Sequence, residues 1–183
     1  MANINGTVLD FTGPFEAETS YGPPYDETYS RFIYGFTTVG PFDIAFWHVA
    51  PQGEPTKWAT IGYLSKYGRL IVNECNRIDQ RSVAFTTITP IGTRNVPGLP
   101  FPAPQGLNFD FTDKHGEKYV FEFNSTSEAA SVLPVGATVS VLGTVKGGCV
   151  GGRQYTGSAE VLYFVAPGSK LFPVSNSAFA LLT

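Results

Sequence analysis

The chain has 183 residues and a formal charge of −3 at neutral pH. One domain is expected at this length, burying about 70% of its unfolded surface with no need of a metal or a disulfide to fold. The acidic balance speaks against nucleic acid as a partner, and no apolar run reaches the ~18 residues of a membrane-spanning helix.

Residues 1–27 are rich in Gly, Pro, Asp and Glu, and Gly22-Pro23-Pro24 interrupts any regular element. This stretch reads as an N-terminal arm that wraps the domain or closes one end. It lacks the basic and apolar regions of a signal peptide. The expected location is therefore cytoplasmic, or secretory if a leader has been removed. Sequons at Asn5 and Asn124 add slight weight to the secretory route.

Strand-like runs follow in close succession, at 29–37, 42–49, 57–65, 69–76, 82–89, 106–112, 118–124, 137–146 and 157–165. Each is bounded by turn residues such as Gly40-Pro41, Gln52-Gly53 and Tyr67-Gly68. Short strands with little helix between them imply an all-β fold with antiparallel pairing. The expectation is one domain over 1–183, a single antiparallel β-barrel of about eight or nine strands, lipocalin-like or dirigent-like.

Within 109–123, Phe109, Phe111, Tyr119, Phe121 and Phe123 share one side of a hairpin, and Asp110, Lys118 and Glu122 take the other. Ser125-Thr126-Ser127-Glu128 reads as a capping box. It predicts one short helix up to about Val132, placed to plug a barrel mouth. Prolines 90, 97, 100, 102 and 104 exclude strand and helix from 90–105. That segment reads as a lid or binding loop, or as a surface excursion packed by Leu99 and Phe101. Gly147-Gly148-Cys149-Val150-Gly151-Gly152 lacks the Lys-Ser/Thr of a phosphate-binding loop and reads as a flexible hairpin loop.

Motifs for covalent or metal chemistry are absent. There is no G-x-S-x-G elbow, and His48 and His115 form no metal pattern. No metal or cofactor is expected. Cys75 and Cys149 are either two buried thiols or one disulfide. The 42–49 strand is the most informative. Phe42, Ile44 and Phe46 share a face with His48, while Trp47 takes the other. A histidine on an apolar face has a tunable pKa, although a rim histidine bonded to backbone or water is the more common case. On the next strand Trp58, Thr60 and Gly62 share a face, and Gly62 would open interior space. Ala59, Ile61 and Tyr63 take the opposite face. Asn73 and Glu74 mark a polar strand end, where a carboxylate can move a proton or simply face solvent. Arg153 and Tyr155, after the Gly-rich stretch, either gate an entrance or are ordinary surface residues.

Candidate catalytic residues are thus His48, Tyr63 and Glu74. Candidate substrate-binding residues are Trp47, Trp58 and Asn73, with Tyr34, Phe46, Phe85, Phe109 and Phe121 as walls.

Pro41-Phe42-Asp43-Ile44-Ala45-Phe46-Trp47-His48-Val49, followed after a turn by Trp58-Ala59-Thr60-Ile61-Gly62-Tyr63-Leu64, resembles a hairpin in the lipocalin-like half of fungal decalin-forming Diels–Alderases. The likeness covers about a quarter of the chain, and those enzymes are about twice as long, with two barrel-like domains. In size the chain is similar to the small fungal β-barrel hetero-Diels–Alderases of tropolone sesquiterpenoid biosynthesis. Gly151 to Ala159 is similar to the Gly-rich hairpin of dirigent and allene oxide cyclase barrels. These resemblances imply a cofactor-independent pericyclase, or cyclase, of natural-product biosynthesis. Its partner would be a hydrophobic small molecule, an apolar polyene or quinone-methide-type intermediate that undergoes a Diels–Alder-like ring closure, with a homodimer left open. Such chemistry needs positioning and one or two hydrogen-bond donors, consistent with a chain that carries no nucleophile motif. A non-catalytic carrier of hydrophobic molecules and a secreted carbohydrate-binding sandwich are the alternatives.

Overall fold

The computed structural model describes residues 2–4, 7–9, 29–53, 59–77, 84–97, 99, 102–133 and 136–166. Two short strands, β1 (Ala2–Ile4) and β2 (Thr7–Leu9), pair antiparallel with each other; the rest of the predicted arm lies outside the described residues. The other strands are β3 (Tyr29–Val39), β4 (Phe42–Pro51), β5 (Ala59–Lys66), β6 (Arg69–Arg77), β7 (Phe85–Ile91), β8 (Gly106–Thr112), β9 (Lys118–Leu133), β10 (Gly136–Cys149) and β11 (Tyr155–Val165). All nine predicted strands are present, most with bounds shifted by a few residues.

They form one sheet in the order β6-β5-β4-β3-β11-β10-β9-β8-β7, which curls into a nearly closed antiparallel barrel. Every ladder in it is antiparallel. With nine strands linked this way, β6 and β7 must run in the same direction. Strands joined by a short connection cannot pair in parallel, so the barrel has its seam there. β7 instead packs across the seam. Thr86 is buried and sits over Gly62 of β5, where an added Cβ would lie 2.2 Å from the Thr86 hydroxyl oxygen. The space that Gly62 was expected to open is therefore filled by Thr86.

Alternation sets the interior. Ile33, Val39, Phe42, Ile44, Phe46, Leu64, Val72, Leu107, Val139, Val141 and Val161 point inward with the 109–123 aromatics. Phe109, Phe121 and Phe123 are wholly buried, and Phe111 and Tyr119 nearly so, as the alternation of that hairpin predicts. The Phe46 and Phe109 rings meet with centroids 4.7 Å apart. At one end, Phe42 packs edge-on against Tyr119, Phe121 and Tyr155 and stops that mouth.

Three sequence expectations are corrected. Residues 125–132 are not a helix but the continuation of β9. They pair with β10 through to Leu133↔Gly136, past a register shift at Leu142/Gly143. The capping-box hydroxyls bond to neighbouring chain segments instead: Ser125 donates to the Gln105 carbonyl (2.7 Å) and Thr126 to the Leu142 carbonyl (3.2 Å). Tertiary pairing outweighs a weak local helix signal. Residues 90–105 are not wholly irregular. Pro90 and Ile91 end β7, a sheet edge where a missing N–H is tolerated, and Arg94 bridges Ala103 further along. The Gly-rich stretch is also more ordered than expected. β10 continues through Gly147 and Gly148 to Cys149, and Gly151 supplies the positive φ of 76° for a tight turn.

Candidate functional site

The two ends of the barrel differ in chemistry. His48 lies six residues along β4 from Phe42, about 20 Å at strand rise, and so belongs to the end opposite the aromatic plug. Its cross-strand partners are Ile33 on β3 and Thr60 on β5. His48 and Thr60 both point inward and are buried, with His48 Nδ1 2.7 Å from the Thr60 hydroxyl. Burial, reinforced by the positive charge of Arg31, lowers the His48 pKa to about 4. The imidazole is thus neutral at physiological pH, able to donate a hydrogen bond from one nitrogen and accept at the other. Arg31, two residues before Ile33, is buried in turn, and desolvation lowers its own pKa.

A second polar group occupies the same end. Tyr163 on β11 pairs with Ile33 on one side and with Val139 on the other, so it faces inward one strand beyond Ile33. It is 2% exposed, and its hydroxyl has no hydrogen-bond partner among the described residues. Desolvation raises its pKa, opposed by the charge of Arg94. Arg94 comes from the 90–105 loop, which leaves β7 at this end. Its Nη1 lies 2.9 Å from Glu128 Oε2. Glu128 pairs with buried Val141 and so shares the inward face of β9. Arg94 Nε and Nη2 are buried without partners among the described residues.

The candidates named from sequence are distributed as follows. His48 and Phe46 point inward, as do Phe109 and Phe121. Glu74 shares the inner face with Gly62, its partner across the β5–β6 ladder, and is half-buried. Tyr63 and Asn73 pair with each other and are exposed on the outer face. Trp47 also faces outward. It packs against Phe32 and Tyr34, and Phe32 stacks on Phe164, in an external aromatic cluster. The structure therefore does not bring Tyr63 or Trp47 to His48. Trp58 lies outside the described residues, as does the side chain of Phe85. Arg153 stacks over Tyr155 beside the plug, its guanidinium 5.2 Å from the ring centroid.

Cys75 and Cys149 are both free, Cys75 exposed and Cys149 partly buried, so neither the disulfide nor the pair of buried thiols is realised. Cys149 donates to Glu117 Oε1 at 3.4 Å, and its pKa is raised, first by desolvation and then by Glu117. Among the described residues no group of His, Cys, Asp and Glu is placed to hold a metal, and no helix is long and apolar enough to cross a membrane.

Arg31, Arg94, Glu128 and Tyr163 were missed by sequence reasoning. Arg94 does sit in the Pro-rich segment read as a candidate binding loop, but neither its role nor the inward face of Glu128 shows in the local sequence, since Ser125 to Val132 carries no apolar–polar alternation.

No family model matches the chain, and no curated protein matches it. Among solved structures it is similar to CghA with Sch210972, at a TM-score of 0.61 and 12% identity, over 78% of this chain and 42% of that one. It is similar to a second structure of CghA at a TM-score of 0.60 and 13% identity, over 85% and 43%. The chain thus spans less than half the length of CghA. At this identity the likeness is one of fold, and it agrees with the weak resemblance to fungal β-barrel pericyclases carried by the Pro41–Leu64 hairpin.

Proposed function

We propose that the protein is a cofactor-independent cyclase, a pericyclase that closes a ring in an apolar polyunsaturated substrate by a Diels–Alder-like step. The observation that carries this reading is the neutral, buried His48 on Thr60, set in an apolar barrel interior at the end opposite the Phe42 ring cluster. The fold likeness to CghA, a fungal Diels–Alderase, supports it. A cycloaddition transfers no proton and needs no nucleophile. It gains from confining a flexible chain in a reactive pose and from hydrogen bonds to an oxygen that gathers charge in the transition state. A buried imidazole that stays neutral suits that second task, because it can donate without burying a net charge.

The test is turnover. The purified chain is incubated with linear trienes tethered to an α,β-unsaturated carbonyl, and the products are resolved by chiral chromatography. One enantiomer formed faster than the buffer control is the expected result. A racemate at the uncatalysed rate sinks the proposal; tight binding with no rate enhancement would instead point to a carrier of hydrophobic molecules.

A further inference from the structure

We infer that Tyr163 and Arg94 form a binding site for one neutral carbonyl oxygen of an apolar ligand, inside the barrel at the end opposite the Phe42 ring cluster. Three buried donors belong to that end: the Tyr163 hydroxyl, Arg94 Nε and Arg94 Nη2, none partnered among the described residues. A buried donor without an acceptor is costly, and three retained in one part of the fold call for an acceptor supplied from outside. The charge of Arg94 acts on the Tyr163 phenol, so the groups lie within electrostatic reach of each other.

The site is built in advance. Arg94 and Ala103 exchange two backbone hydrogen bonds of 2.8 Å, which hold the loop as a small hairpin, and the Nη1–Glu128 contact at 2.9 Å fixes the guanidinium. Its position also suits entry. Arg94 and Glu128 are about one-fifth exposed, whereas Tyr163 is enclosed.

Charge selects the ligand. Glu128 already balances Arg94, so a carboxylate or phosphate bound here would bury an uncompensated negative charge. A ketone, ester or amide oxygen, with two lone pairs, can accept from the Tyr163 phenol and from the guanidinium at no such cost. The remaining wall is Val139, Val141 and Val161, all essentially buried, which suits the hydrocarbon next to that oxygen.

This inference rests on the cyclase reading for the use made of the carbonyl, namely its polarisation during ring closure. Its test is therefore binding, not turnover. The probes are β-ionone, an apolar conjugated ketone, its hydrocarbon analogue and its carboxylate analogue β-ionylideneacetate. Affinity is followed by tryptophan fluorescence quenching, and the ketone C=O stretch by infrared difference spectroscopy. Tyr163→Phe deletes one hydroxyl that has no partner among the described residues, so the fold should be kept, as read by the urea midpoint.

The expected result is ketone binding about tenfold weaker in Tyr163→Phe, the worth of one neutral hydrogen bond, with its C=O band shifted to higher frequency. Hydrocarbon binding should be unchanged, and the carboxylate should bind more weakly than the ketone. The paired variant Arg94→Gln with Glu128→Gln, which leaves no lone charge, should weaken ketone binding likewise and stands in if Tyr163→Phe does not fold. Wild-type ketone affinity and band position in these variants overturn the inference, as does preference for the carboxylate or no ketone binding by the wild type. Loss of ketone binding in the variants, with no ring closure by any form of the protein, refutes the cyclase reading alone. Ring closure by variants that bind ketone like the wild type refutes this site alone.

Discussion

Acidification should destabilise this barrel through one side chain. His48 is buried on Thr60, and desolvation followed by the charge of Arg31 lowers its pKa from 6.5 to about 4. In the unfolded chain it returns to about 6.5. Between these values the unfolded state binds more protons than the folded state, so stability rises with pH across that window. The contribution of His48 is complete above about pH 6.5 and is lost as pH falls toward 4. By linkage the loss is about 2 kcal/mol at about pH 5 and about 3 kcal/mol at about pH 4, a large share of the 5–15 kcal/mol typical of a domain. Urea unfolding of the wild type and of His48→Gln across this range isolates the effect. Glutamine keeps a donor and an acceptor but does not titrate. The wild type should lose about 2 kcal/mol more than the variant between about pH 7 and 5. Parallel curves for the two proteins would refute the reasoning, since they would show that His48 protonates equally in both states.

Three further predictions concern the scaffold. Phe121→Ala removes a fully buried ring that packs on Phe42 and Phe111 and should cost about 3–5 kcal/mol in urea unfolding. Gly62→Ala drives a methyl group into Thr86 and should cost about 1–3 kcal/mol. Thr86→Ala in the same chain should recover part of that loss, so a double-mutant cycle should return a coupling of about 1 kcal/mol, and strict additivity would contradict the seam packing. Asp113→Ala removes a carboxylate oxygen that accepts the His115 and Glu117 backbone N–H groups at 2.8 Å each. It should lower stability by about 1–2 kcal/mol and speed amide exchange in the β8–β9 turn.

What the sequence revealed, it revealed through period-two alternation. Phe109, Phe111, Tyr119, Phe121 and Phe123 all point inward, because a strand leaves no other way to bury every second ring. The same rule placed Phe42, Ile44, Phe46 and His48 on one face. What it did not settle was which strands share a neighbourhood. Tyr63 and His48 stand on adjacent strands, yet the β4–β5 ladder opposes His48 to Thr60 and Ala45 to Tyr63, and Tyr63, an odd number of residues from Thr60, faces outside. Nor could local signals foresee that Ser125–Glu128 would stay extended, since β10 supplies the partner strand. Arg94 was out of reach for a related reason: its link to Glu128 joins two segments 34 positions apart that only the closed barrel brings together.

The plug and the polar end also constrain how any substrate would lie. Phe42, Tyr119, Phe121 and Tyr155 fill one end with rings, and Phe46 meets Phe109 further in, so the polar contacts open to a ligand belong to the end that carries Arg94 and His48. There the Tyr163–Arg94 donors and the His48–Thr60 pair lie on opposite sides of Ile33 on β3, since Ile33 pairs with Tyr163 on one ladder and with His48 on the other. Adjacent strands lie about 4.8 Å apart, so the Tyr163 and His48 backbones stand about 10 Å apart along the inner wall. That span exceeds a single carbonyl and suits a folded chain with an oxygen at each end of its reacting segment. Donors at both ends would fix the segment's direction as well as its depth. A barrel that sets only depth would bind such a chain in two orientations and release mirror-related rings. One polar group anchoring each end would favour a single ring, so substitution at either one should erode enantioselectivity before it abolishes turnover.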